Sequence, residues 1–493
     1  MIDANHLLLQ SVMIPIISAP VILALGRRLG ENVGWVASIP LIYVLVTLSA
    51  SAMEVYHGKG MLVASYRWAP LIGGDFTLMM DGISAPIALT IALLSFLVCI
   101  YSVGYMRGEH GLGLYFCLYM LYAAGMVGAV LAADLLVFFI FFELMLIPSW
   151  VLIAIWGTGP KERIALKYFI FTEAGALSML AGIAATYSMA GTFRMDELSS
   201  LLAGVDGGII APIASAMLLG LFVKMAVFPL HTWLPDAHAE APTPISALLS
   251  PAMIGIGGYA SIRILYTVFP GLLENWVAMT SLSALSLITM GYGGFMALAQ
   301  RDLKRLLAYS SISQMGYMLF GISAISHLGV IGAVLLYVSH GLAKAILFMA
   351  SGIFMKLFKT RSIEELRGLA GKMPYLSVSF VIGFLSLAGV PPLLGFWSEL
   401  LIFAGSIYTA LLSPMDLVRL IITLLAIIMA ILTAGYGLWT IKRILYGGSL
   451  EGSSKIAKEP ILMTVPMIIL ALLTIILGIY PSIITSILNN MMI

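Results

Sequence analysis

Apolar residues run along this chain in stretches of about 20, separated by short polar segments, and within each stretch they occupy every helical face rather than one stripe. About 20 apolar residues are what a helix needs to cross a bilayer. The pattern predicts fourteen such helices, at 7–26, 33–53, 83–103, 112–132, 134–156, 164–190, 209–235, 243–268, 275–298, 304–325, 328–357, 375–412, 416–446 and 461–489. Connections are short except at 54–82, 192–208 and 360–374, so one membrane domain is expected.

Two of the helices are interrupted, the seventh at FPLHTWLP and the twelfth, five helices later, at GVPPLLGFW. Paired interruptions point to an internal repeat with its ion site at the breaks. Because five is odd, the second unit sits upside down. The expected fold class is therefore an all-α polytopic membrane protein with two inverted five-helix repeats, helices 4–8 and 9–13. Along the chain this gives N-terminal helices in 1–110, a first repeat in 111–270, an inverted second repeat in 271–447 and a C-terminal helix in 448–493.

Composition strengthens the membrane reading: 61% of residues are hydrophobic and 10% charged, with a mean hydropathy of +1.06, which excludes a soluble globular protein. The first apolar run has no basic leader, so no cleavable signal is expected. Most of the 25 basic residues fall in odd-numbered connections, among them Arg27, Arg107, Lys161, Arg163, Arg301, Lys304, Arg305, Lys356, Arg361, Lys442 and Lys455. Even-numbered ones hold Lys59, Arg67, Arg194, Arg263 and Arg419. Lys and Arg accumulate in cytoplasmic loops, which places the odd loops inside and both termini outside, in the plasma membrane of a prokaryote. Lys224 and Lys344 belong to neither set and are the expected intramembrane cations. The net charge of +2 gives no sign of a nucleic-acid partner. Cys99 and Cys117 lie in separate apolar helices and read as small buried hydrophobes. With no CxxC pair, P-loop or strand-associated Gly-rich motif, redox cofactors are expected in partner subunits and none, nor a metal, on this chain.

The chemistry lies in charges inside apolar runs. A Lys at the centre of a spanning helix costs about 2.5–3.5 kcal/mol on insertion scales, and such a residue marks an ion or proton path. Lys224, in LLGLFVKMAVFPL, stands beside the first break. Glu143, in FFIFFELMLIPSW, is deep in the fifth helix. The two read either as a static ion pair or as a pair whose proton affinities follow distance and hydration. The string HTWLPDAHAEAPTP gathers His231, Asp236, His238 and Glu240 on a break element that carries titratable groups and water, with a solvated loop the alternative for Asp236 and Glu240. His340 and Lys344 are four apart and share a helical face, so their protonation is coupled; a snorkelling Lys344 is the alternative. Glu399 sits just inside the restarted twelfth helix, where the helix dipole alone would favour it. Glu173 either joins the path or bonds a neighbouring helix, and Asp134 reads as a cap or entrance group. The expected relay runs Glu143, Lys224, His340 with Lys344, then Glu399, with Glu173, His231, Asp236 and His238 as possible members.

The motifs FFELMLIPSW, KMAVFPLHTWLPDAHAEAPTP, RDLKRLLAYSSISQMGYM, SHGLAKAILF and GVPPLLGFWSEL resemble those of the antiporter-like subunits of complex I-like respiratory dehydrogenases and of Mrp-type cation/proton antiporters. The likeness spans helices four to thirteen. It is strongest to the M type, because 493 residues leave no room for a long lateral helix and Glu399 stands where other types carry Lys. The resemblance implies fourteen helices with inverted repeats and relay roles for Glu143, Lys224, His340 and Glu399. It also implies energy from electron transfer in other subunits. The partners implied are neighbouring antiporter-like membrane chains and, indirectly, a soluble redox arm. Two positions depart from the pattern. Gly255 stands where the eighth helix usually carries Lys, and Gln314 where the tenth usually carries His. The function expected is a non-redox, proton-translocating subunit of such a dehydrogenase. The alternatives are a Mrp-type sodium/proton antiporter subunit and a structural membrane subunit with an inactive channel.

Overall fold

The computed structural model describes residues 4–69, 74–412, 416–448 and 458–488; Lys455, counted above among the cytoplasmic cations, lies outside them, as does Asn489, the last residue of the expected final helix. Among the described residues, 12 helical stretches are long and apolar enough to cross a membrane. The first, His6–Gly58, holds two helices, Ala4–Leu29 and Val33–Glu54. Leu303–Ser323 is a further helix of 21 residues, so the expected fourteen spans are present. It is less apolar because it carries Ser310, Ser311, Ser313 and Gln314, and all four are buried in protein. Ile17, Ile39, Val46, Ile421 and Ile431 point outward from the first, second and thirteenth spans, an apolar surface suited to lipid or a neighbouring membrane chain.

One element departs from an all-helical chain. Within the 54–82 connection, strands β1 (Leu62–Ala69) and β2 (Gly74–Met80) pair antiparallel, Leu62 opposite Met80 and Arg67 opposite Asp75. Leu78 then bridges to Ala132, where the fourth span ends. Val63, Tyr66, Trp68, Phe76 and Thr77 favour extended backbone, a signal too short to register beside the long apolar runs.

Just after the hairpin, Asp81 is fully buried and accepts from Arg263 Nη1 at 2.8 Å and Nη2 at 2.6 Å. Burial alone would raise the Asp81 carboxyl, but the Arg263 guanidinium and the Ser84 hydrogen bonds hold it below the usual range. Arg263 is therefore no loop cation, and neither are Arg419 and Lys304, which are also buried. Removing one partner of a buried pair strands the other charge, at a cost of about 3–5 kcal/mol. Asp81→Asn is expected to lower the thermal midpoint of the purified protein in detergent, and Asp81→Asn with Arg263→Met to recover most of it. Superimposable melting curves for wild type and the single variant would refute this.

The two halves reuse the same local devices. Asp134 caps the fifth span, Leu135–Trp156, accepting from Leu136 N and Val137 N; Asp302 caps the tenth, Leu303–Ser323, accepting from Lys304 N and Arg305 N. Each cap forms an isolated bridge to the segment that follows the next span, Asp134 to Arg194 and Asp302 to Ser362. Five crossings separate the caps, so they lie at opposite membrane faces. The breaks match as well. Gly207–Met225 stops at Ala226, which turns left-handed with φ 55°, and Leu234–Glu240 resumes the seventh span. Pro374–Leu387 stops before Gly389, φ 64°, and Leu394–Leu412 resumes the twelfth.

Candidate functional site

Lys224 closes the first half of the broken seventh span. Its side chain is buried, its ammonium has no hydrogen-bond partner, and it stands 4.8 Å over the ring of Phe142. The charges that act on it are the carboxylates of Glu143 and Glu173. Those two carboxylates also act on each other, and Glu143 Oε1 is buried without a hydrogen-bond partner. Glu143 and Lys224 form no direct ion pair, and Glu173 is the second carboxylate that acts on both.

His340 and Lys344 lie on His327–Phe358, where every residue from Gly329 to Phe354 is buried. Lys344 does not snorkel: its ammonium donates to Leu307 O at 2.8 Å and to the Ser310 hydroxyl. His340 Nε2 is buried without a partner. His238, from the resumed half of the seventh span, joins them. Its ring stacks on Phe348 at 4.8 Å, both of its nitrogens are unpartnered, and it acts electrostatically on His340.

Glu399 is nearly buried beside the second break. Gly389 makes that position possible, since a Cβ there would sit 2.5 Å from Glu399 Oε2 and the left-handed φ favours glycine. Tyr317 and Tyr436 adjoin the carboxyl. Between Lys344 and Glu399 the hydroxyls of Ser310, Tyr436, Thr433 and Tyr317 neighbour one another in that order. The last three are buried without a direct partner.

The remaining candidates are held elsewhere. Asp236 accepts from Lys167 at 2.8 Å and Arg305 at 3.0 Å, partly exposed at the protein's edge. His231 packs its ring on Phe228 and Tyr292. Neither touches the Lys224 or His340 groups in the described contacts. Glu240, read above as open to a solvated-loop role, is 5% exposed and bonded to Thr158 and Arg361.

The family model described as "NADH:quinone oxidoreductase/Mrp antiporter, TM" matches residues 132–423, which include Glu143, Glu173, Lys224, His238, His340, Lys344 and Glu399. The chain belongs to that family. A second model, "NADH-Ubiquinone oxidoreductase (complex I), chain 5 N-terminus", matches 68–116. The chain is 32% identical to F(420)H(2) dehydrogenase subunit M of Methanosarcina mazei, over 97% of this chain and 96% of that one. It is likewise 32% identical to NADH-quinone oxidoreductase subunit M of Rhodobacter capsulatus, over 98% and 95%. A chain of the archaeal membrane-bound sulfane sulfur reductase superposes with a TM-score of 0.88 at 27% identity, over 99% and 96%.

The structure gives the surroundings of Gly255 and Gln314, the two positions that depart from the expected pattern. A Cβ at Gly255 would lie 2.6 Å from ring carbons of Tyr337, whose hydroxyl donates to Ala252 O at 2.8 Å. The phenol fills the space a longer side chain would need. Gln314 faces the second break, its amide 3.5 Å from Leu387 O.

The hydroxyl row escaped the sequence reading, which sought charges. Its signal was present. Ser310, Gln314 and Tyr317 recur at i, i+4 and i+7 in one span and Thr433, Tyr436 and Thr440 at i, i+3 and i+7 in another, each a polar stripe on one helical face.

Proposed function

We propose that this chain is a proton-translocating membrane subunit of a complex I-like dehydrogenase, driven by electron transfer in other subunits. The observation that carries it is the row of buried titratable groups, from Glu143 and Glu173 through Lys224, His238, His340 and Lys344 to Glu399. Groups this costly to hold inside a bilayer mark proton relays. The names of the relatives support the dehydrogenase setting, and their membership of multi-subunit systems supports neighbouring membrane chains as partners. The basic loops support a prokaryotic plasma-membrane orientation with odd connections in the cytoplasm and both termini outside. The matched caps and breaks support inverted repeat units near 111–270 and 271–447.

In this reading Glu399 accepts the proton that Lys344 releases along the hydroxyl row. Glu399→Gln keeps shape and hydrogen bonding but cannot carry a proton. In sealed membrane vesicles with the complete complex, it is expected to cut proton pumping on addition of electron donor by at least about tenfold. Unchanged pumping would refute the relay. A sodium gradient that drives proton exchange in the same vesicles without donor would favour the antiporter reading instead.

A further inference from the structure

We propose that Glu240, Lys304 and His238 form a proton inlet leading from a surface cavity beside Arg361 to His340 and Lys344. The inference rests on the relay reading above. A cavity of about 500 Å³ is lined by Thr158, Pro160, Glu240, Lys359, Thr360 and Arg361, with exposed Lys359 at its rim. At its floor the Glu240 carboxylate accepts from Thr158 Oγ1 at 2.8 Å and Arg361 Nη2 at 3.2 Å. Gly159, at φ 54°, leaves room for that carboxylate: a Cβ there would stand 2.7 Å from Glu240 Oε2.

Behind Glu240 lies Lys304, in the first turn of the tenth span and wholly buried. Its ammonium donates to Ala241 O at 2.6 Å and Ala239 O at 3.3 Å, and Arg361 Nη1 shares Ala239 O at 2.7 Å. The charged groups acting on Lys304 are Arg361, Asp302 and Glu240; Asp302 is itself paired to Arg361. Those acting on His238 are Lys304 and Lys344. The three side chains are thus ordered from the cavity inward.

Capping the carbonyls at the end of Leu234–Glu240 would explain Lys304 alone. It does not explain His238, which is fully buried with both ring nitrogens unpartnered, an arrangement that costs stability and gives packing nothing that an apolar ring would not. A proton inlet explains both. Glu240 takes a proton from cavity water and gives it to the neutral Lys304 amine. The resulting ammonium yields it to His238, which passes it to His340.

Lysine can lose its proton in such a site, whereas arginine stays charged. Lys304→Arg keeps a cation and donors for both carbonyls, and Glu240→Gln keeps the Thr158 contact. The test measures donor-driven pumping by the intact complex in inside-out vesicles, against the pH of the buffer that bathes the Arg361 side. Both variants are expected to assemble at wild-type levels and to pump at least about tenfold more slowly at mildly alkaline pH, and Lys304→Arg to stay slow as the buffer is acidified, because arginine keeps its proton. A Lys304→Arg protein that pumps at the wild-type rate across the pH range has a capping lysine only, and overturns the inlet. If Lys304→Arg does not assemble, Glu240→Gln decides alone by the same two outcomes. Normal pumping by Lys224→Ala would instead sink the relay reading itself, so the two failures are distinguishable.

Discussion

Membrane vesicles carrying Lys224→Ala in an otherwise complete complex are expected to lose nearly all donor-driven acidification while the complex still assembles. The substitution takes away the cation on which Glu143 and Glu173 act, and with it the group that exchanges protons with them. The first station of the row can then neither load nor discharge. Lys224→Arg separates the two readings of this site. Arginine preserves a positive charge over Phe142 but cannot deprotonate, so a static ion-pair role predicts near-normal pumping and a relay role predicts loss comparable to alanine, at least about tenfold. The unpartnered ammonium at 4.8 Å from the Phe142 ring favours loss, because a static pair would be held by a direct bond. Pumping by Lys224→Arg at the wild-type rate would refute the relay role.

Gly255→Lys, which restores the residue the resemblance implies at this point, is expected to damage the protein rather than improve it. Its Cβ alone would meet the Tyr337 ring at 2.6 Å in a span whose surroundings are wholly buried, and overpacking a tight core costs typically about 1–3 kcal/mol, with more for a long charged chain. Little assembled complex should be recovered from membranes. Tyr337→Ala in the same chain removes the ring and is expected to return assembly, so the double variant would be more abundant than Gly255→Lys alone. Equal abundance of wild type and Gly255→Lys in membrane extracts would show that the phenol does not hold the site.

These outcomes bear on how much of the site was legible beforehand. Lys224, Glu143, Lys344 and Glu399 stood out because a charge in an apolar run has no cheap structural explanation. Glu173 and His238 were recognised as candidates but not placed. Their roles depend on which helix each faces, and the Glu143–Glu173 and His238–His340 interactions join different spans. Lys304, Arg263 and Arg419 were assigned to loops because each lies near the end of an apolar run. Only packing shows that their side chains turn inward, to Ala239 and Ala241, to Asp81, and to Ser323 O.

The sequence by itself determined the fourteen spans, the two breaks and the inventory of buried charges, because hydrophobic transfer and the helical period act locally along the chain. Tertiary structure decided the rest. It set which charges act on one another, which cations are buried, that Tyr337 occupies the space over Gly255, and that buried hydroxyls lie between Lys344 and Glu399. Each of these depends on the distance between side chains from separate spans, which a linear pattern does not encode.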